Sequence, residues 1–219
     1  MDQQEKEFWD KLKRWHLDDI DICLANGANY AATKTMLSLI DALGGFYGGL
    51  VEKEVNEIYE CKNCKKQKFF KKKKYLVRAG GGGRSKNIKT YNVDGVIYEE
   101  SGSKKEFLNF VNNYINEFYK IKIKSKTKKW RAAEILYDHF RCGLIHEGHS
   151  KFGTGITNYN DMEIFKYDLG VPIALNIVCL RDLVRRAIFE FEKDVFHKKI
   201  KERVIRWEDR FNYLSELKL

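Results

Sequence analysis

Arg141 and His146 bracket four residues in FRCGLIHEGH, and Cys142, Glu147 and His149 flank the pair as auxiliary candidates. Neutral histidine can take or give a proton near neutral pH. Arginine stays charged, grips phosphate with two parallel donors, and stabilises charge developing on it. Together they suit phosphodiester cleavage without a metal. Five residues of α-helix turn about 500°, which leaves Arg141 and His146 roughly 140° apart on an ideal helix. A bend near Gly143 or a partner subunit would be needed to unite them. The chemistry-free alternative is a helix C-terminus in which both side chains cap carbonyls or pair with Glu147.

Other residues carry weaker signals. Cys61-x-x-Cys64 in YECKNCKK supplies half of a tetrahedral zinc site, and no second pair lies nearby. No complete metal-ligand set surrounds the motif, so no cofactor is expected there. Cys142 and Cys179 fall in helical segments and read as small buried hydrophobes. Gly80–Gly83 resembles a flexible connector, because Arg78 occupies the first glycine position of a phosphate loop. The alternation KIKIKSKTKKWR at 120–131 fits either an RNA-binding surface or a solvated strand. His16 and His197 stand alone.

Helices must position the motif. Leu180, Leu183, Val184, Ala187, Ile188, Phe191 and Val195 share one helical face, and Ile200, Val204, Trp207, Phe211 and Leu214 share another. These predict one long or broken helix over 172–215, with Pro172 in its first turn. Residues 28–50 predict a helix that Gly44–Gly45 and Gly48–Gly49 end or loosen. Residues 104–119 and 128–146 predict two more. A turn-rich stretch at 17–27 separates off a short N-terminal helix. Residues 91–99 predict a strand or hairpin around Asp94–Gly95, and 150–168 a loop with a short hairpin. The expected fold is a mainly α single domain over 1–219, a bundle of four to five helices, with a basic, glycine-containing insertion at about 56–100.

LYDHFRCGLIHEGH resembles the signature of the HEPN superfamily, an Arg and a His four to six residues apart near the end of a long helix in a helical bundle. The order of elements resembles such a domain too, 56–100 excluded. The chain departs from the pattern at Cys142, where Asn, Asp or His is usual. The resemblance implies a metal-independent endoribonuclease acting as a homodimer, with two motifs facing each other. Some such proteins are toxins paired with antitoxins or effectors of phage defence. Others are non-catalytic modules that bind RNA or a protein partner.

Charge adds a candidate RNA-binding surface. The 219 residues carry a net charge of +10, with twelve of the 41 Lys and Arg, and none of the 31 acids, in residues 61–90. The remaining 29 basic residues face all 31 acids. Such a patch attracts phosphates in a salt-dependent way. Lys71, Lys72, Lys73, Lys74, Arg78 and Arg84 are the RNA-binding candidates, and a solvated lysine-rich loop is the alternative. The sequence contains no apolar run of the roughly 20 residues that span a bilayer, and the charged N-terminus lacks an apolar signal core. The expectation is a cytoplasmic protein with no membrane partner and no structural disulfides. A single proline, where about eleven would be average, favours long helices.

Overall fold

The computed structural model describes residues 3–60, 68–79, 90–93, 96–124, 129–151, 153–159, 163–168 and 171–216. The fold is mainly helical, with three sheets among the described residues.

Helix α1 (Gln3–Ala25) and helix α2 (Asn29–Gly48) form an antiparallel pair joined at Gly27, whose φ of 71° turns the chain. The expected turn at 17–27 is confined to its last residues. Leu17, Ile20 and Leu24 continue the apolar face, and no Gly or Pro interrupts it before Gly27. Helix α2 is the centre of the bundle. It packs against α1, helix α3 (Ser103–Tyr114), helix α6 (Ile177–Glu192) and helix α7 (Lys201–Glu216). Gly44 does not loosen α2. A Cβ there would lie 3.0 Å from the backbone of Glu106 and Phe107, so its absence admits α3 to close contact. The helix ends at Gly49, whose φ of 62° supplies the left-handed cap.

The aromatic half of the core sits between these helices. Trp207 stacks on Phe46 with ring centroids 4.3 Å apart and meets Trp9 edge-on at 5.4 Å. Phe191, Phe110 and Tyr114 extend the cluster. Rings of this size dominate the apolar area removed from water.

The insertion begins earlier than position 56. Strand β1 (Leu50–Glu60) follows α2 directly and pairs antiparallel with strand β2 (Lys68–Ala79), from Leu50↔Arg78 to Glu60↔Lys68. Strands β3 (Thr90–Val93) and β4 (Val96–Glu100) form the expected hairpin and complete a sheet in the order β1-β2-β4-β3. The lysine run therefore lies in a regular ladder, not a loop. It also places Glu54 opposite Lys74 and Glu57 opposite Lys71. A count by sequence window cannot see these cross-strand acids.

Helix α3 is followed by one short helical turn, α4 (Glu117–Lys120). The lysine alternation then forms a two-stranded sheet of β5 (Lys122–Lys124) and β6 (Lys129–Arg131). So 129–131 is strand, where a helix from 128 was expected.

Pro172 is likewise in a strand, β9 (Val171–Asn176), between β7 (Thr154–Thr157), its parallel neighbour, and β8 (Phe165–Asp168), its antiparallel one. Helix α6 starts only at Ile177, because the Asn176 side chain accepts hydrogen bonds from the Val178 and Cys179 amides, at 3.2 and 3.4 Å. The predicted C-terminal helix is broken. After α6 the chain winds as a π-helix over Lys193–His197, and Lys199, with φ 50°, turns it into α7.

Candidate functional site

The chain between β6 and β7 begins as α-helix at Ala132–Ile135 (α5) and then winds as π-helix over Leu136–Arg141 and Gly143–Glu147. In a π-helix each N–H reaches back five residues, as the Cys142 amide does to the Tyr137 carbonyl. Residues five apart then stand nearly above one another. This winding, neither a bend nor a second subunit, unites the motif: Arg141 Nη1 lies 3.0 Å from His146 Nε2. Arginine has no acceptor, so the contact is a hydrogen bond when Nε2 is unprotonated.

The winding is held from outside. Gly148, with φ 78°, ends it in the left-handed region. The chain then folds back so that the Lys151 amide donates to the His139 carbonyl at 3.1 Å. Gly143 makes room for this return, because a Cβ there would lie 2.5 Å from the His149 carbonyl oxygen.

Asp41 completes the cluster. Its Oδ2 accepts from Arg141 Nη2 at 2.7 Å. One edge of the guanidinium thus faces His146 and another Asp41. Tyr137 lies beneath, with its ring centroid 5.2 Å from Arg141 Cζ. That ring is fixed by an edge contact to Phe107 and a 3.2 Å hydroxyl contact to Ser103. Burial opposes the charge on Arg141, but the hydrogen bond and charge of Asp41 more than offset it, and the pKa rises. Arg141 is 12% exposed and Asp41 23%, whereas His146 is open to solvent. The site is a charged floor with a histidine at its lip.

The sequence reading missed Asp41, which lies 100 residues before Arg141. A signal was present: it is the sole acid of α2, set among apolar residues in MLSLIDALGG. The auxiliary candidates divide. Cys142 is half-buried against the core, forms no disulfide, and its side chain interacts with Arg141, while Cys179 is buried as expected. Glu147 and His149 are exposed, and the His149 ring engages the Ser150 carbonyl at 2.9 Å rather than the Arg141–His146 pair. Of the RNA-binding candidates, Lys74 is exposed and lies 3.4 Å from Glu52. Lys71, Lys72, Lys73 and Arg78 are placed in β2 by the strand register, and Arg84 lies outside the described residues. Cys61 and Cys64 also lie outside them. Among the described residues no three His, Cys, Asp or Glu side chains are placed to hold a metal ion, and no helix is long and apolar enough to cross a membrane.

No protein-family model, no curated protein and no solved structure matches this chain.

Proposed function

We propose that this chain is a metal-independent endoribonuclease of HEPN type, working as a homodimer, in the setting of a toxin or a defence effector. The observation that carries the reading is the convergence of Arg141 Nη1 and His146 Nε2 to 3.0 Å, with Asp41 fixing the arginine from behind. In this reading His146 releases Arg141 to the incoming phosphate, and its unprotonated nitrogen then takes the proton of an RNA 2′-hydroxyl. The 2′-oxygen attacks the adjacent phosphorus, and the 5′-oxygen leaves with a proton from water or from a second copy of His146. A cyclic phosphate and a free 5′-hydroxyl result. Arg141 would stabilise the charge on the phosphate oxygens. Two copies of so sparse a site, facing each other, would double the donors around one phosphate. The lysines of β2 would hold RNA non-specifically.

The test is cleavage of a mixed RNA pool in excess EDTA. Wild-type protein should cut RNA and leave DNA intact, since DNA lacks the 2′-hydroxyl. His146→Ala should lose roughly a hundred- to ten-thousand-fold in rate. Cleavage by neither protein, or equally by both, would rule the enzyme out.

One observation favours a second reading, a non-catalytic module that binds RNA or a protein partner such as an antitoxin. The Asp41 carboxylate already engages Arg141, which is mostly buried, as a structural ion pair would be.

A further inference from the structure

A cavity of about 420 Å³ lies away from the Arg141–His146 pair, between the π-wound segment Lys193–His197 and the first turns of α7. Val195, Phe196, Val204 and Trp207 give it apolar walls, and Lys199 and Lys201 stand exposed at its mouth. We propose that this cavity binds a small amphiphilic anion, a ligand with an apolar body and one carboxylate-like head.

The cavity is preformed. The π-winding ends with the Lys198 amide donating to the Lys193 carbonyl at 2.7 Å, and the Ile200 amide reaches Asp194 at 3.0 Å. These bonds fix the wall while the chain turns through Lys199. A left-handed backbone costs a residue with a side chain about 1 kcal/mol, and such a cost persists where the surroundings over-determine it. Trp207 and Phe196, edge to face at 5.0 Å, make the inner wall rigid. The volume falls within the roughly 300–1,000 Å³ of small-molecule sites.

The head group follows from the charges. Lys198 is held by Asp194 at 2.7 Å, but Lys199 and Lys201 have no carboxylate partner among the described ion pairs. On the acidic side, Glu5 is buried and engaged within the protein, and Glu208 alone is an exposed acid of the lining. The mouth therefore offers two cations to an incoming head. Ile205, 47% exposed, continues the apolar surface outward toward the bound molecule.

The probe is 1-anilinonaphthalene-8-sulfonate, an aromatic body with a single anionic head, added to the full chain. Its fluorescence should rise saturably with one site per chain. Decanoate should displace it, and decyltrimethylammonium at equal concentration should not. Val204→Trp, which fills the cavity, and Ile205→Glu, which sets an anion at the mouth, should each weaken binding about tenfold or more. Lys199→Gln with Lys201→Gln should weaken it by about three- to tenfold. Ile205→Glu changes a half-exposed position, so a native circular dichroism spectrum shows that lost binding is local. His146→Ala should bind the probe as wild type does, which keeps the outcome separate from the ribonuclease reading. Equal displacement by both decyl compounds, or wild-type binding in both Val204→Trp and Ile205→Glu, would overturn the proposal.

Discussion

Gly143 lies against the carbonyl of His149, whose oxygen passes 2.5 Å from where a Cβ on residue 143 would stand. The contact is backbone on backbone, so no side chain can turn aside. Gly143→Ala must push the 148–151 return away or unwind the helix. It should cost about 1–3 kcal/mol in urea unfolding, as overpacking does. Under the ribonuclease reading it should also lower cleavage, because the displaced loop carries the Lys151–His139 bond that holds the winding. Wild-type stability in the alanine variant would show that the return is easily moved.

Asp41→Asn separates the two functional readings. The substitution keeps the shape and removes the charge. It should cost about 1–2 kcal/mol, below a fully buried charged bond because both partners are partly exposed. If Asp41 positions Arg141 for chemistry, cleavage falls while RNA affinity holds. If Asp41 only occupies the arginine in a binding module, its neutralisation frees the guanidinium and RNA affinity rises. A filter-binding curve beside a cleavage assay reads both.

Acid should weaken the fold through His139 and His16. Burial, then the charge of Lys151, lowers the pKa of His139, with Asp138 pulling the other way. Burial likewise lowers that of His16, against Asp19. Below the ordinary histidine value of about 6.5 the unfolded chain binds more protons on these rings than the folded chain does. Their contribution is complete above that pH and is lost as pH falls through the folded-state values. Urea midpoints should drop as pH falls below about 6.5. His139→Gln should remove part of that slope, and an unchanged slope would assign the loss to other groups.

The β2 lysines should bind RNA less strongly than their number suggests. Glu54 and Glu57 stand opposite Lys74 and Lys71 across the ladder. Replacing Lys71, Lys72, Lys73 and Lys74 by Ser should weaken RNA binding alike for all sequences. The salt slope should flatten by less than the roughly 2.8 expected of four lysines fully engaged on single-stranded RNA. Unchanged binding would make the run a solvated strand.

The helices read most clearly from sequence where one apolar face met one core. Leu180 to Phe191 and Phe107 to Val111 occupy the helices their spacing predicted, and those residues are buried or packed against the core. Errors arose where tertiary pairing overrode local pattern. Pro172 suits a helix start, but β7 and β8 were there to take its segment as a strand. Residues 17–27 end in the turn signal Asn26–Gly27, yet α1 runs on to Ala25 because Leu17, Ile20 and Leu24 pack in or against the core. At the site, the pairing of Arg141 with His146 could be named from the residues, but the geometry that unites them could not. Helical periodicity assumes 3.6 residues per turn, so it set Arg141 and His146 apart. Asp41 stood out as the one acid of an apolar helix, but nothing local links position 41 to 141, so its partner was not legible.

The π-winding makes chain length a variable of the site. Four intervening residues bring Arg141 over His146 only because an i→i+5 turn absorbs one residue more than an α turn does. In an ordinary α-helix a separation of four, with three residues between, already shares a face. A deletion inside Cys142–Ile145 that let the segment relax to α-helix could therefore bring the two side chains together again. An insertion would need wider winding still. The spacing between arginine and histidine works as a gauge of how the backbone coils, and a change in the number of residues there would act on the pair without altering Arg141, His146 or Asp41.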